Sequence, residues 1–83
     1  MPTFMDVHTL DDGVSAEDVA AAHMADLQTQ TEYNVNYKRY FVNSEGTKIF
    51  CLVDAPDADS AVRVHREAHG LVADEIYEVT EHS

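Results

Sequence analysis

Two histidines four residues apart, His65 and His69, lie in the run Val64-His65-Arg66-Glu67-Ala68-His69. On a helix that spacing puts both imidazoles on one face, where they can share a metal ion. A zinc-protease signature needs a Glu directly after the first histidine. Arg66 holds that place, so metalloprotease chemistry is disfavoured. A third histidine, His8, follows Asp6 by two positions in Phe4-Met5-Asp6-Val7-His8, which on a strand sets a carboxylate beside an imidazole. Imidazole nitrogens with carboxylate oxygens suit Ni²⁺, Cu²⁺ or Zn²⁺ better than Mg²⁺ or Ca²⁺. The same residues also have a purely structural reading. In it His65 packs along its helix, His69 sits near a helix C-terminus where a cation is favoured, and His8 is exposed. His23 and His82 read as incidental.

Other chemistries find less support. No Ser or Cys occupies a Gly-flanked turn, and Ser15, Ser44 and Ser60 read as caps or turn residues. Gly13, Gly46 and Gly70 are too far apart for a phosphate-cradling loop. The one cysteine, Cys51, lies in the apolar run Ile49-Phe50-Cys51-Leu52-Val53 and reads as an inert buried thiol. It excludes an intramolecular disulfide, and a reducing, cytoplasmic compartment fits it best. Tyr37 and Tyr40, around Lys38 and Arg39, read as packing residues of a hairpin that could also line a cavity.

The elements that must position these residues follow from periodicity. Thr3 to Leu10 alternates as a strand, with Met5 and Val7 on one face and Asp6 and His8 on the other. Asp11-Asp12-Gly13 is turn chemistry, and Ser15 with Asp18 resembles a capping arrangement for a helix reaching about Thr31. Val19, Ala20, His23, Met24 and Leu27 form its expected packing face, with Glu17, Asp18, Asp26 and Gln28 elsewhere. Val35 to Asn43 and Thr47 to Ala55 form a hairpin across Ser44-Glu45-Gly46. Asp57 or Asp59 caps a second helix from about Ser60 to His69, with Ala61, Val62, Val64, His65 and Ala68 as inward candidates, and Gly70 stops it. Asp74 to Glu81 alternates as a final strand.

Strand, helix, hairpin, helix, strand is the order in which two right-handed βαβ crossovers interlock. It predicts a ferredoxin-like α+β sandwich over residues 1–83 as a single domain, with both helices on one face of a four-stranded antiparallel sheet. The tips of the first strand, second helix and last strand then share one end of the domain, bringing His8, His69 and Glu75 within reach of one another. If Met5 and Val7 pack under the helices, His8 turns to the open face and meets His65 and His69 only at the rim. An open sheet face with apolar residues in water favours a homodimer, as in dimeric α/β barrels. The rival functional reading uses that face as the pocket of an enzyme or small-molecule binder, lined by Phe4, Tyr37, Tyr40 or Phe50.

Composition narrows the partners. Sixteen Asp and Glu against five Lys and Arg give a net charge of −11, which argues against nucleic acid and anionic membrane surfaces and favours cations. Solubility, or life in a salty cytoplasm, would select the same acidity. No stretch approaches the ~20 consecutive apolar residues of a membrane span, and Met1-Pro2-Thr3-Phe4 lacks the basic start of a signal peptide.

Three segments in order carry a resemblance: Phe4-Met5-Asp6-Val7-His8, Ile49-Phe50-Cys51-Leu52-Val53-Asp54-Ala55-Pro56, and Val64-His65-Arg66-Glu67-Ala68-His69-Gly70 through Asp74-Glu75-Ile76-Tyr77-Glu78-Val79. Together they resemble a group of small bacterial proteins of unassigned domain function that includes nickel-binding, nickel-responsive members. The resemblance implies a dimeric ferredoxin-like fold and metal binding at the dimer surface, serving nickel sequestration or detoxification rather than catalysis. His8, His65 and His69 match its histidine-bearing segments. The combined expectation is a Ni²⁺ protein, with Zn²⁺ or Cu²⁺ as the other candidate ions. His8, His65 and His69 would supply nitrogen, and Asp6 or Glu75 oxygen.

Overall fold

The computed structural model describes residues 1–83. Its elements are β1 (Thr3–Thr9), α1 (Ala16–Thr29), a 3-10 turn (Gln30–Tyr33), β2 (Asn36–Val42), β3 (Lys48–Asp54), α2 (Ala58–Ala68) and β4 (Glu75–Val79). The sheet order is β2-β3-β1-β4, with every neighbouring pair antiparallel. Phe4, Tyr37, Ile49, Cys51 and Val53 from the sheet form one buried cluster with Val19 of α1 and Ala61 and Val64 of α2. Both helices therefore cover the same face, and the fold is the ferredoxin-like α+β sandwich expected from the order of elements. No helix is long and apolar enough to cross a membrane.

Local chemistry sets the ends of the helices. Ser15 Oγ accepts the Asp18 N–H at 3.1 Å to open α1, and Asp57 Oδ1 accepts the Ser60 N–H at 2.8 Å to open α2. At the far end of α2 the His65 carbonyl accepts from the N–H groups of both His69 and Gly70, and Gly70 has φ +80°. That left-handed residue directly follows the C-cap His69 and stops the helix, whose last residue is Ala68. The β2–β3 turn is tied to the loop before α1, because the Val14 N–H donates to the Gly46 carbonyl at 2.9 Å. Gly46 has φ +71°, and a Cβ there would lie 2.7 Å from the Val14 carbonyl oxygen, so only glycine fits this approach.

The alternation of β1 is as expected, but its faces are reversed. Phe4, Asp6 and His8 point under the helices opposite Val53, Cys51 and Ile49, while Met5 and Val7 lie on the open face opposite Leu52 and Phe50. The apolar partners across β3 decide the matter, and the two polar side chains are tolerated inside because other buried groups receive them. Phe4, Tyr37 and Tyr40 likewise face the helical layer, so of the residues expected to line an open-face pocket only Phe50 is on that side. Tyr37 and Tyr40 share a face despite their odd spacing because a bulge between Tyr37 and Arg39 shifts the phase of β2. On α1 the inward residues are Val19 and Asp26, whereas Met24 and Leu27 are exposed.

Candidate metal centre

The centre of the helix-covered layer is polar. Asp6, His8, Asp26 and His65 are all buried, at 1, 6, 2 and 2% exposure. β1 contributes Asp6 and His8, two residues apart on one face. α1 contributes Asp26 from the same side as Val19, and α2 contributes His65 and, one turn later, His69.

His65 is the hub. Its Nδ1 lies 2.8 Å from Asp26 Oδ1 and its Nε2 lies 3.0 Å from Asp6 Oδ2. With a carboxylate at each nitrogen the ring donates from both, which makes it an imidazolium. Burial alone would push its pKa down, but the hydrogen bonds and charges of Asp26 and Asp6 outweigh that and hold it at about 9. Burial likewise pushes the Asp6 carboxyl up, and the hydrogen bond from His65 with the close approach of His8 brings it well below the usual carboxylate range. Asp26 is lowered in the same way, with His65 and His69 overcoming burial.

The surrounding groups fix the rest. His69 Nε2 lies 3.0 Å from Asp26 Oδ1, and His69 Nδ1 accepts the Leu71 N–H at 3.1 Å. The proton of His69 is thereby on Nε2, donated to Asp26. Tyr37 is 2% exposed, and its hydroxyl lies 3.0 Å from both Asp6 Oδ2 and the Ala61 carbonyl, so its single proton can serve one at a time. Its pKa is raised by burial and by the Asp6 charge. Burial, with Asp6 adding to it, also pushes the Cys51 thiol up.

One acceptor is left over. Asp6 Oδ1 is buried without a hydrogen-bond partner. His8 Nε2 approaches it to 3.2 Å, close enough for an ion pair but not aligned as a hydrogen bond. His8 Nε2 also lies 3.4 Å from His65 Nε2, long for a nitrogen–nitrogen hydrogen bond. Such separations match the edges of a coordination polyhedron, since metal–nitrogen bonds of 2.0–2.1 Å put tetrahedral neighbours ~3.3 Å apart. Ligand atoms of Asp6, His8, Cys51 and His65 all lie within 4.8 Å of one another, as do those of Asp26, His65 and His69. Both groups could hold a cation. A cavity of about 180 Å³ leads to them, walled by Leu10, Val14, Val19, Ile49 and Leu71 and reaching His8, Asp26, Cys51, His65 and His69.

Of the residues singled out in the sequence, Asp6, His8, His65 and His69 come together, in the protein interior rather than at a rim. Glu75 does not join them. It pairs with Val7 in the sheet register, so its side chain is on the open face, where it accepts a hydrogen bond from the Tyr77 hydroxyl. His23 packs against Tyr40 with ring centroids 4.8 Å apart, and His82 bonds Thr80 in the exposed tail. Asp26, Tyr37 and Cys51 complete the cluster. The spacing of Asp26 from Val19, seven residues or two helical turns, is the signal that places it inward. Cys51 announces itself only through its register opposite Asp6.

The fold and this interior define a ferredoxin-like sandwich with a buried histidine–carboxylate centre. The profile of the nickel-responsive SCO4226-like proteins matches residues 4–79, and the chain belongs to that family. The crystal structure of SCO4226 from Streptomyces coelicolor A3(2) is similar at TM-score 0.88 and 36% sequence identity, over 98% of this chain and 99% of that one. No curated protein sequence matches the chain.

Proposed function

We propose that this protein binds a divalent transition metal, nickel first among them, and serves to sequester it. The observation that carries the reading is the buried Asp6 carboxylate, whose Oδ2 holds His65 while its Oδ1, beside His8, has no hydrogen-bond partner. An uncompensated buried acceptor is costly, and a cation resting against it would remove that cost. The nickel responsiveness of the family supports the choice of ion, and two imidazoles beside a carboxylate suit it chemically. Asp6, His8 and His65 are the ligands in this reading, and His69 acts through Asp26. The net charge of −11 favours approach of cations and disfavours nucleic acid or anionic lipid as partners. The protein works in the cytoplasm as a homodimer, a state supported by Phe41 and Tyr77, both 51% exposed on the open face.

Calorimetric titration of the full-length protein with Ni²⁺ tests the reading. Wild type is expected to bind, and His8→Ala and Asp6→Asn to lose at least tenfold in affinity while remaining folded by circular dichroism. Equal affinities in all three proteins would reject it.

A further inference from the structure

The Asp6 and Asp26 groups share His65, so a single ion must choose a side, and their hydrogen bonding separates them. On the Asp26 side the acceptor Oδ1 already receives two donors, His65 Nδ1 at 2.8 Å and His69 Nε2 at 3.0 Å. His69 has no lone pair facing inward, because its Nδ1 is engaged by the Leu71 N–H and its Nε2 carries the proton. On the Asp6 side a carboxylate oxygen is buried without a partner. On the first side every imidazole nitrogen facing the carboxylate is committed as a donor, whereas on the second a buried carboxylate oxygen is left without one.

Beyond Asp6, His8 and His65, one more donor faces the open side. Cys51 is directly opposite Asp6 in the β1–β3 register and shares its helix-covered face. It is 7% exposed, with its sulfur within 4.8 Å of the ligand atoms of the other three. We propose that Cys51 is the sulfur ligand of an ion held by Asp6, His8 and His65 Nε2, with Asp26 and His69 remaining outside the coordination sphere. The proposal rests on the metal-binding reading above and specifies its site.

The exchange balances. A hydrated dication enters and sheds water, and His8, as a neutral imidazole with its proton on Nδ1, gives its Nε2 lone pair. The S–H bond of Cys51 and the Nε2–H bond of His65 break, and both protons pass to solvent as the metal–sulfur and metal–nitrogen bonds form. No electron is transferred. Two protons are replaced by one dication, so the net charge buried in the cluster is unchanged, and the metal–ligand bonds must offset only the dehydration of the ion. His65 keeps Nδ1–H on Asp26, the carboxylate–histidine–metal arrangement that orients a ligating imidazole. The thiolate makes the site soft, selecting nickel, cobalt, zinc or copper over magnesium or calcium.

Cobalt(II) titration of the full chain, followed by absorption, reads the sulfur directly. A near-ultraviolet thiolate-to-cobalt charge-transfer band is expected, saturating at one ion per chain in wild type and persisting in His69→Ala. In Cys51→Ser the band is expected to vanish while calorimetry still detects binding, weakened at least tenfold. Calorimetric binding of Co²⁺ by wild type with no such band would overturn the assignment of Cys51 and leave the metal-binding reading intact. Loss of the band in His69→Ala, with binding retained, would overturn the choice of side. Absence of any binding by wild type would overturn the function and the site together.

Discussion

His65 Nδ1 and Asp26 Oδ1 lie 2.8 Å apart, joining the last turn of the second helix to the later turns of the first through a buried, charge-assisted hydrogen bond. The bond has two consequences. It cross-links the helices above the sheet, and it fixes which way the Nε2 edge of the imidazole points, toward Asp6 and His8. A ring held in this way needs no reorganisation when a ligand arrives at its other nitrogen.

Replacing Asp26 by Asn removes the charge and leaves the shape. The His65 pKa, held at about 9 by Asp26 and Asp6 together, is expected to fall. Proton NMR titration of the His65 ring in the metal-free protein measures this. Nickel affinity in the same variant is expected to drop by roughly 10–100-fold, the usual effect of losing an outer hydrogen-bond partner of a ligating histidine. An unchanged ring titration would mean that the Asp26 contact contributes nothing to holding His65.

The metal-free protein should have a defined window of pH stability. His65 titrates at about 9 folded against an ordinary 6.5, so its contribution is complete below about 6.5 and is lost as pH rises through about 9. Asp6 is depressed from an ordinary 3.8, so its contribution is complete above that value and is lost only as pH falls through its lower folded pKa. Melting temperatures are therefore expected to be highest between about 4 and 6.5 and to decline toward pH 10. In His65→Gln the alkaline decline should flatten. A wild-type melting temperature that rises from pH 6 to pH 10 would contradict the assignment of a buried imidazolium.

Gly46 and Gly70, two of the three positive-φ glycines, should respond differently to alanine. At Gly46 the added Cβ meets the Val14 carbonyl at 2.7 Å on top of an unfavourable φ, whereas at Gly70 nothing lies within 4 Å. Gly70→Ala should cost about 1 kcal/mol from backbone strain alone, and Gly46→Ala clearly more. Urea denaturation of both variants checks the order, which the reverse ranking would refute.

The fold could be read from the sequence because its signals are local. Ser15 and Asp57 at helix starts, Gly70 at a helix stop and the strand periodicity around Gly46 each act within a few residues. The centre was harder to place, since binary patterning assigns Asp6, His8 and Asp26 to solvent. Their burial depends on partners 39 to 59 residues away along the chain. The parity of Asp6 and His8 along β1 was correct, but which face turned inward was decided by Ile49, Cys51 and Val53 across the ladder. The same parity argument, applied through the β1–β4 register, removes Glu75 from the cluster.

Diffraction from nickel-soaked crystals, with data collected on both sides of the nickel absorption edge, locates the ion. An anomalous peak is expected inside the protein, between the side chains of Asp6, His8 and His65. Nickel peaks confined to surface residues such as His82, with the interior still bridged from Asp26 through His65 to Asp6, would contradict it.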